Sequence, residues 1–168
     1  MSAFPRGYLL GVGSNIDPDQ NFARIIALLL ESFEPVHLSR VLNIPPVGMN
    51  SHRAFLNAVA FIETDMDERE LKQRCNEIET SLGRDRDDPD SKYKDRPADV
   101  DILAYFNVDA DWQRGASSIT DEYFLYPLID ELKAYLTENN EMAAAQAGTR
   151  LRIGSSAFGE AATSIYRD

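Results

Sequence analysis

Apolar positions along this chain switch between continuous runs, alternation and a spacing of three or four, and each switch marks an element. Tyr8-Leu9-Leu10-Gly11-Val12-Gly13-Ser14 is short and nearly continuous in apolar character, which predicts a buried strand. Phe22, Ile25, Ile26, Leu29 and Phe33 then recur at helical spacing. Asp17 is placed to cap that helix and Pro18 to open it. Val36 to Leu42 reads as a second strand. Phe55 to Glu63, rich in Val, Ile and Phe, reads as a third. Leu71, Cys75, Ile78 and Leu82 form the stripe of a second helix. Asp67 and Glu70 begin it as a capping box, and Gly83 ends it. A fourth strand starts at Asp99. The order βαββαβ predicts an α+β, ferredoxin-like core with helices on one face of an antiparallel sheet. Pro127 to Leu136 predicts a further short helix. From Thr137 the chain is rich in Ala, Gly, Ser and Thr and weakly patterned. The reading is one α+β domain over residues 1–136 and an irregular C-terminal extension over 137–168. That extension is not an independent domain, and Leu151-Arg152-Ile153 and Tyr166 are its docking points.

The fourth strand breaks the alternation in an informative way. Asp99 and Asp101 stand two apart in Ala98-Asp99-Val100-Asp101-Ile102-Leu103-Ala104-Tyr105-Phe106. On a strand they share a face, roughly 7 Å apart, while Val100 and Ile102 face the core. Two carboxylates side by side repel, and burying either is costly. Hard oxygen ligands at this spacing suit one or two Mg²⁺ ions, which in turn suit phosphates. A solvated face of an edge strand fits the pair equally well.

Charge tips that balance. The chain has 168 residues, 17 Lys and Arg against 28 Asp and Glu, and a formal net charge of −11. Gly83 to Arg96 nevertheless holds five basic residues, balanced by five aspartates. Its Pro, Asp and Ser content argues for a loop. Arginines on a loop beside a carboxylate–metal site are what phosphoryl transfer needs. A calcium loop is rejected: counted from Asp85, the twelfth position is Arg96 and the central Gly is missing. The acidic balance argues against a nucleic-acid surface, but not against a single nucleotide bridged by metal.

Composition excludes other classes. Hydrophobic content of 43% is ordinary for a globular domain. No apolar run is long enough to span a membrane and no signal-peptide pattern opens the chain, so a cytoplasmic location is expected. The lone cysteine, Cys75, reads as core. His37 and His52 have no metal-ligand partner at suitable spacing, and no serine-hydrolase or Walker A sequence is present. Between strands two and three, Pro45-Pro46 stiffens an extended segment. Phe55 and Asn57 share one face of the next strand, where an aromatic ring and a carboxamide can stack on and hydrogen-bond a flat heterocycle.

Taken together, these residues resemble a family. Gly13-Ser14-Asn15, Pro45-Pro46-Val47-Gly48, Phe55-Leu56-Asn57-Ala58, Gly83-Arg84-x-Arg86 and Arg96-x-x-Asp99-Val100-Asp101-Ile102-Leu103 follow the order and spacing of 6-hydroxymethyl-7,8-dihydropterin pyrophosphokinase. The resemblance covers about residues 7–132, and its specific part is the double-Asp strand with the upstream arginines. Members transfer the pyrophosphoryl group of ATP to the hydroxymethyl oxygen of the pterin, giving AMP, in folate biosynthesis. The resemblance implies that Asp99 and Asp101 hold two Mg²⁺ ions. It makes Arg84 and Arg96 mobile-loop arginines that engage the phosphates. Phe55 and Tyr123 would sandwich the pterin, Asn57 would bond its edge, and Ile44 and Val47 would line its site. Glu79 and Ile102 fall at nucleotide-side positions. The expected partners are these small molecules alone, with no nucleic acid and no membrane, the chain being a monomer or weak dimer.

The chain also departs from the pattern. Members commonly carry a Pro-His pair and a downstream Arg that contact the triphosphate. Here Ser117 to Leu128 has no His and no Arg, and it brings Asp121 and Glu122 instead. That departure supports a second reading, a catalytically weak or inactive relative acting as a pterin-binding module.

Overall fold

A nearly continuous apolar run needs cover on both sides, and β1 (Gly7–Ser14) is buried along almost its whole length. The structure, a computed structural model, describes residues 4–44, 53–84, 95–137 and 147–167. β1 lies inside an antiparallel sheet with β2 (Val36–Leu38), β3 (Leu42–Ile44), β4 (Phe55–Glu63), β5 (Asp99–Phe106) and β8 (Thr163–Ile165). The order is β5-β1-β4-β2-β8, with β3 also paired to β4. The first four strands in this order are the split βαβ arrangement expected from the element order.

α1 (Pro18–Ser32) and α2 (Glu68–Ser81) form where their stripes predict. Phe22, Ile25, Ile26, Leu29, Leu71, Cys75 and Ile78 pack on Tyr8, Leu10, Val12, Ala58, Ala60, Ile62 and Val100. Asp67 caps α2, accepting from Glu70 N at 2.8 Å. Gly83 follows its end at φ 99°, a conformation that favours glycine. Asp17 is the N-cap of α1 in another way than expected. It takes a left-handed conformation and its side chain caps nothing; its carbonyl accepts from Gln20 and Asn21.

Helices do not lie on one face only. α4 (Tyr126–Leu136) covers the opposite face, where Leu128, Ile129 and Leu132 pack with Leu9, Val59, Phe61, Phe106 and Trp112. β1 and β4 are apolar at both alternate sets of positions, so each face of the sheet needs its own cover. Short helical turns at Asp109–Gln113, Ala116–Ile119 (α3) and Tyr123–Leu125 link β5 to α4. Trp112 anchors the first of them, its ring 4.8 Å from Phe106 and 5.0 Å from Phe61.

Two expectations are corrected. The strand read over Val36–Leu42 is interrupted at Ser39-Arg40-Val41. Val41 N donates to Gly159 O, and Val41 O accepts from Thr149 N. Val41 therefore spends its backbone groups on the C-terminal tail, whereas Ser39 N still donates to Val59 O of β4. The tail, in turn, is not irregular throughout. β6 (Leu151–Ile153) and β7 (Ser156–Phe158) make a hairpin, and β8 pairs with β2 through Val36↔Ile165 and Leu38↔Thr163. Leu151, Phe158 and Ile165 enter the first core, whereas Tyr166 stays exposed. Three-residue strands carrying one or two apolar residues show too little period to be read. Phe158→Ala, which empties a site stacked on Phe22, should lower unfolding stability by about 3 kcal/mol in urea titration.

Candidate active site

Three neighbouring strands bring the singled-out residues onto one face of the sheet. In register, Gly13 lies between Asn57 of β4 and Asp99 of β5, and Gly11 lies between Val59 and Asp101. A Cβ at Gly13 would sit 2.7 Å from Asn57 Oδ1, so a larger residue there would push the Asn57 carboxamide aside. Phe55, one alternation before Asn57, is buried beside it. Here the apolar face covered by α4 becomes polar. Val100 of β5 points into the opposite core and Ile102 packs against it.

The carboxylates converge from two elements. Glu79, at the C-terminal end of α2, is fully buried. Its Oε2 accepts from Val100 N at 2.8 Å, closing the open edge of β5. One carboxylate oxygen each from Glu79, Asp99 and Asp101 falls within 4.8 Å of the others. This is a hard, all-oxygen donor set of the kind that suits Mg²⁺.

Two arginines neutralise the group. Arg84 Nη1 reaches Glu79 Oε2 at 2.9 Å and Asp99 Oδ1 at 3.0 Å, with its side chain only 8% exposed. Arg96 Nη1 reaches Asp99 Oδ2 at 2.9 Å. Arg84 is thus an inner strut between α2 and β5, placed closer to the carboxylates than the loop position read from sequence suggests. Asp101 receives less help. Burial, then Asp99, Glu79 and Glu122, push its carboxyl up to about 7 against the pull of Arg84. Burial and Asp99 likewise raise Glu122. The charges of Glu122, Asp99 and Asp101 are thus felt by one another.

Asn15 carries a role that the motif did not disclose. It is 1% exposed at the end of β1. Its N–H donates to Arg96 O, its Oδ1 accepts from Arg96 N, and its Nδ2 donates to Asp95. The signal was there in Gly13-Ser14-Asn15: a polar pair ending a buried strand must find partners.

The remaining residues fall as follows. Ile44 pairs with Phe55 across β3 and β4. Tyr123 is 66% exposed, on a helical turn packed against β4, and its ring meets Phe124 and not Phe55. Val47, and the loop over residues 85–94 including Tyr93, lie outside the described residues. Cys75 is buried in the core, its thiol pushed up to about 12 by burial and by Glu79, which leaves it inert at neutral pH. His37 bonds Ser164 Oγ and Glu63, and His52 lies outside the described residues. Among the described residues no helix is long and apolar enough to cross a membrane.

Residues 9–131 match the sequence profile of the family described as 7,8-dihydro-6-hydroxymethylpterin-pyrophosphokinase (HPPK). The chain is 32% identical over 99 residues to the 2-amino-4-hydroxy-6-hydroxymethyldihydropteridine pyrophosphokinase of Bacillus subtilis, covering 57% of this chain and 58% of that protein. Proteins of the same name from Porphyromonas gingivalis and Methylorubrum extorquens are 30% and 34% identical. Those matches cover 57% and 60% of this chain and 67% and 63% of the relatives. The chain therefore spans about three fifths to two thirds of the length of the curated relatives it matches.

Proposed function

The chain belongs to the 7,8-dihydro-6-hydroxymethylpterin-pyrophosphokinase family, and from that premise we propose that it transfers pyrophosphate from ATP to the hydroxymethyl group of 6-hydroxymethyl-7,8-dihydropterin, giving AMP and the pterin diphosphate of folate biosynthesis. The observation that carries this reading is the row Asn57–Gly13–Asp99, three residues abreast on three strands. In our reading Phe55 and Asn57 would bind the ring and Asp99 and Asp101 the cation, on neighbouring strands of one sheet face. Phe55 offers a flat apolar wall and Asn57 both a donor and an acceptor for the edge of a pterin. Tyr123, exposed on its turn, is free to close over the opposite face of the ring. Ile44 and Val47 would line the same site.

Asp99 and Asp101 would hold Mg²⁺, two ions in our reading, with Glu79 behind them. Such ions neutralise the charge on the phosphates and polarise the bond that breaks. Arg84 keeps Glu79 and Asp99 in place. Arg96 places a planar cation where charge gathers on the transferring group. Ile102 would lie toward the nucleotide.

The test is incubation of the full chain with ATP, Mg²⁺ and the hydroxymethyl dihydropterin, with AMP measured. AMP that appears only when all three are present supports the reading. Pterin binding without AMP would leave a pterin-binding module in its place.

A further inference from the structure

Arg96 is held at two ends. Its main chain is tied to Asn15 through Arg96 N and Arg96 O, and Asn15 is buried in the sheet. Its guanidinium rests on Asp99 Oδ2. The other oxygen of Asp99 takes Arg84, which also holds buried Glu79 and the Ala98 carbonyl. Both oxygens of Asp99 are therefore engaged by arginine, although the same carboxylate belongs to the group of three that fits a divalent cation. A cation beside two guanidiniums on one carboxylate would crowd like charges at a few ångströms. Arg84 is the more deeply buried, its side chain 8% exposed against 17% for Arg96. Arg96 is thus the partner that can leave.

We infer that a divalent cation and the Arg96 guanidinium exclude one another at Asp99, with Asn15 as the positioning residue that fixes the pivot of Arg96. The inference rests on the reading of Asp99 as a cation ligand. It sets an order of events. The cation arrives first, the guanidinium is released, and Asn15 keeps it within reach of a polyphosphate.

The experiment is Mn²⁺ binding to the nucleotide-free full chain, by calorimetry at fixed ionic strength. Arg96→Ala should bind Mn²⁺ about five- to tenfold more tightly than wild type. Arg53→Ala removes the same charge beside Asp95 and should change affinity by less than about twofold. Equal tightening in both variants, or none in Arg96→Ala, overturns the inference. In an Asn15→Ala background the Arg96→Ala step should shrink to less than about twofold, because Arg96 is no longer held over Asp99. An undiminished step would remove the positioning role of Asn15. Wild type supplies a readout that does not depend on a folded variant. The Arg96 Nε–H resonance should move during a Mg²⁺ titration, and a fixed resonance while Mg²⁺ binds also overturns the exchange. No Mn²⁺ binding to wild type and Arg96→Ala alike would instead remove the cation site itself.

Discussion

Asp101→Asn is expected to cut AMP formation at least about tenfold at saturating Mg²⁺, while making the metal-free protein more stable at pH 8. The first effect follows from removing one of two charges that would clamp the metal, a contribution of several kcal/mol to transition-state stabilisation. The second follows from the same site. Asp101 is pushed up to about 7 by burial and by three neighbouring carboxylates. A carboxyl raised above its ordinary value of 3.8 disfavours folding wherever it must ionise, so the penalty starts near pH 4 and is complete above about pH 7. Asparagine carries no such penalty. Neighbouring groups crowd the Asp101 carboxyl, yet part of its side chain keeps contact with solvent, so the gain is screened to roughly 1 kcal/mol, or about 2–4 °C in melting temperature. Scans at pH 8 and pH 4 with EDTA check the sign: a gain at pH 8 that disappears at pH 4. Near-normal turnover by this variant would remove Asp101 from the metal site, and a gain equal at both pH values would remove the carboxylate repulsion.

Arg96→Ala should slow the chemical step in single turnover by about 10²- to 10³-fold and shift ATP affinity by less than about threefold. An interaction made chiefly with the transferring group in the transition state appears in the rate and not in ground-state binding. The loss is expected to be large here because Ser117 to Leu128 offers neither a His nor an Arg to share the task, and Glu122 adds negative charge toward Asp99 and Arg96. Rapid-quench measurement with enzyme in excess over ATP separates the two quantities. An unchanged chemical step would make Arg96 a resting partner of Asp99 with no part in the reaction.

The sequence by itself determined the elements with a strong period. The α1 and α2 stripes, the buried run of β1 and the Asp99–Asp101 spacing are each set by residues close together in the chain, so local pattern was enough to read them. Gly83 and Asp67 were legible for the same reason, since caps obey local geometry. Phe55 and Asn57 could be placed on one strand face from alternation alone. The Asn57–Gly13–Asp99 row could not, because strand register joins residues more than 40 positions apart. Nor could the position of Arg84, whose contacts with Glu79 and Asp99 depend on how α2 meets β5. Asn15 was visible as part of a motif, but its partners at Asp95 and Arg96 lie some 80 residues away. The break at Ser39-Arg40-Val41 and the strand β8 were hidden for a related reason. Val41 continues an apolar run, and only the returning tail, which claims its N–H and C=O, turns that run into a junction. Local side-chain chemistry named the groups, whereas packing between distant segments decided which of them neutralise one another and which remain open to a ligand.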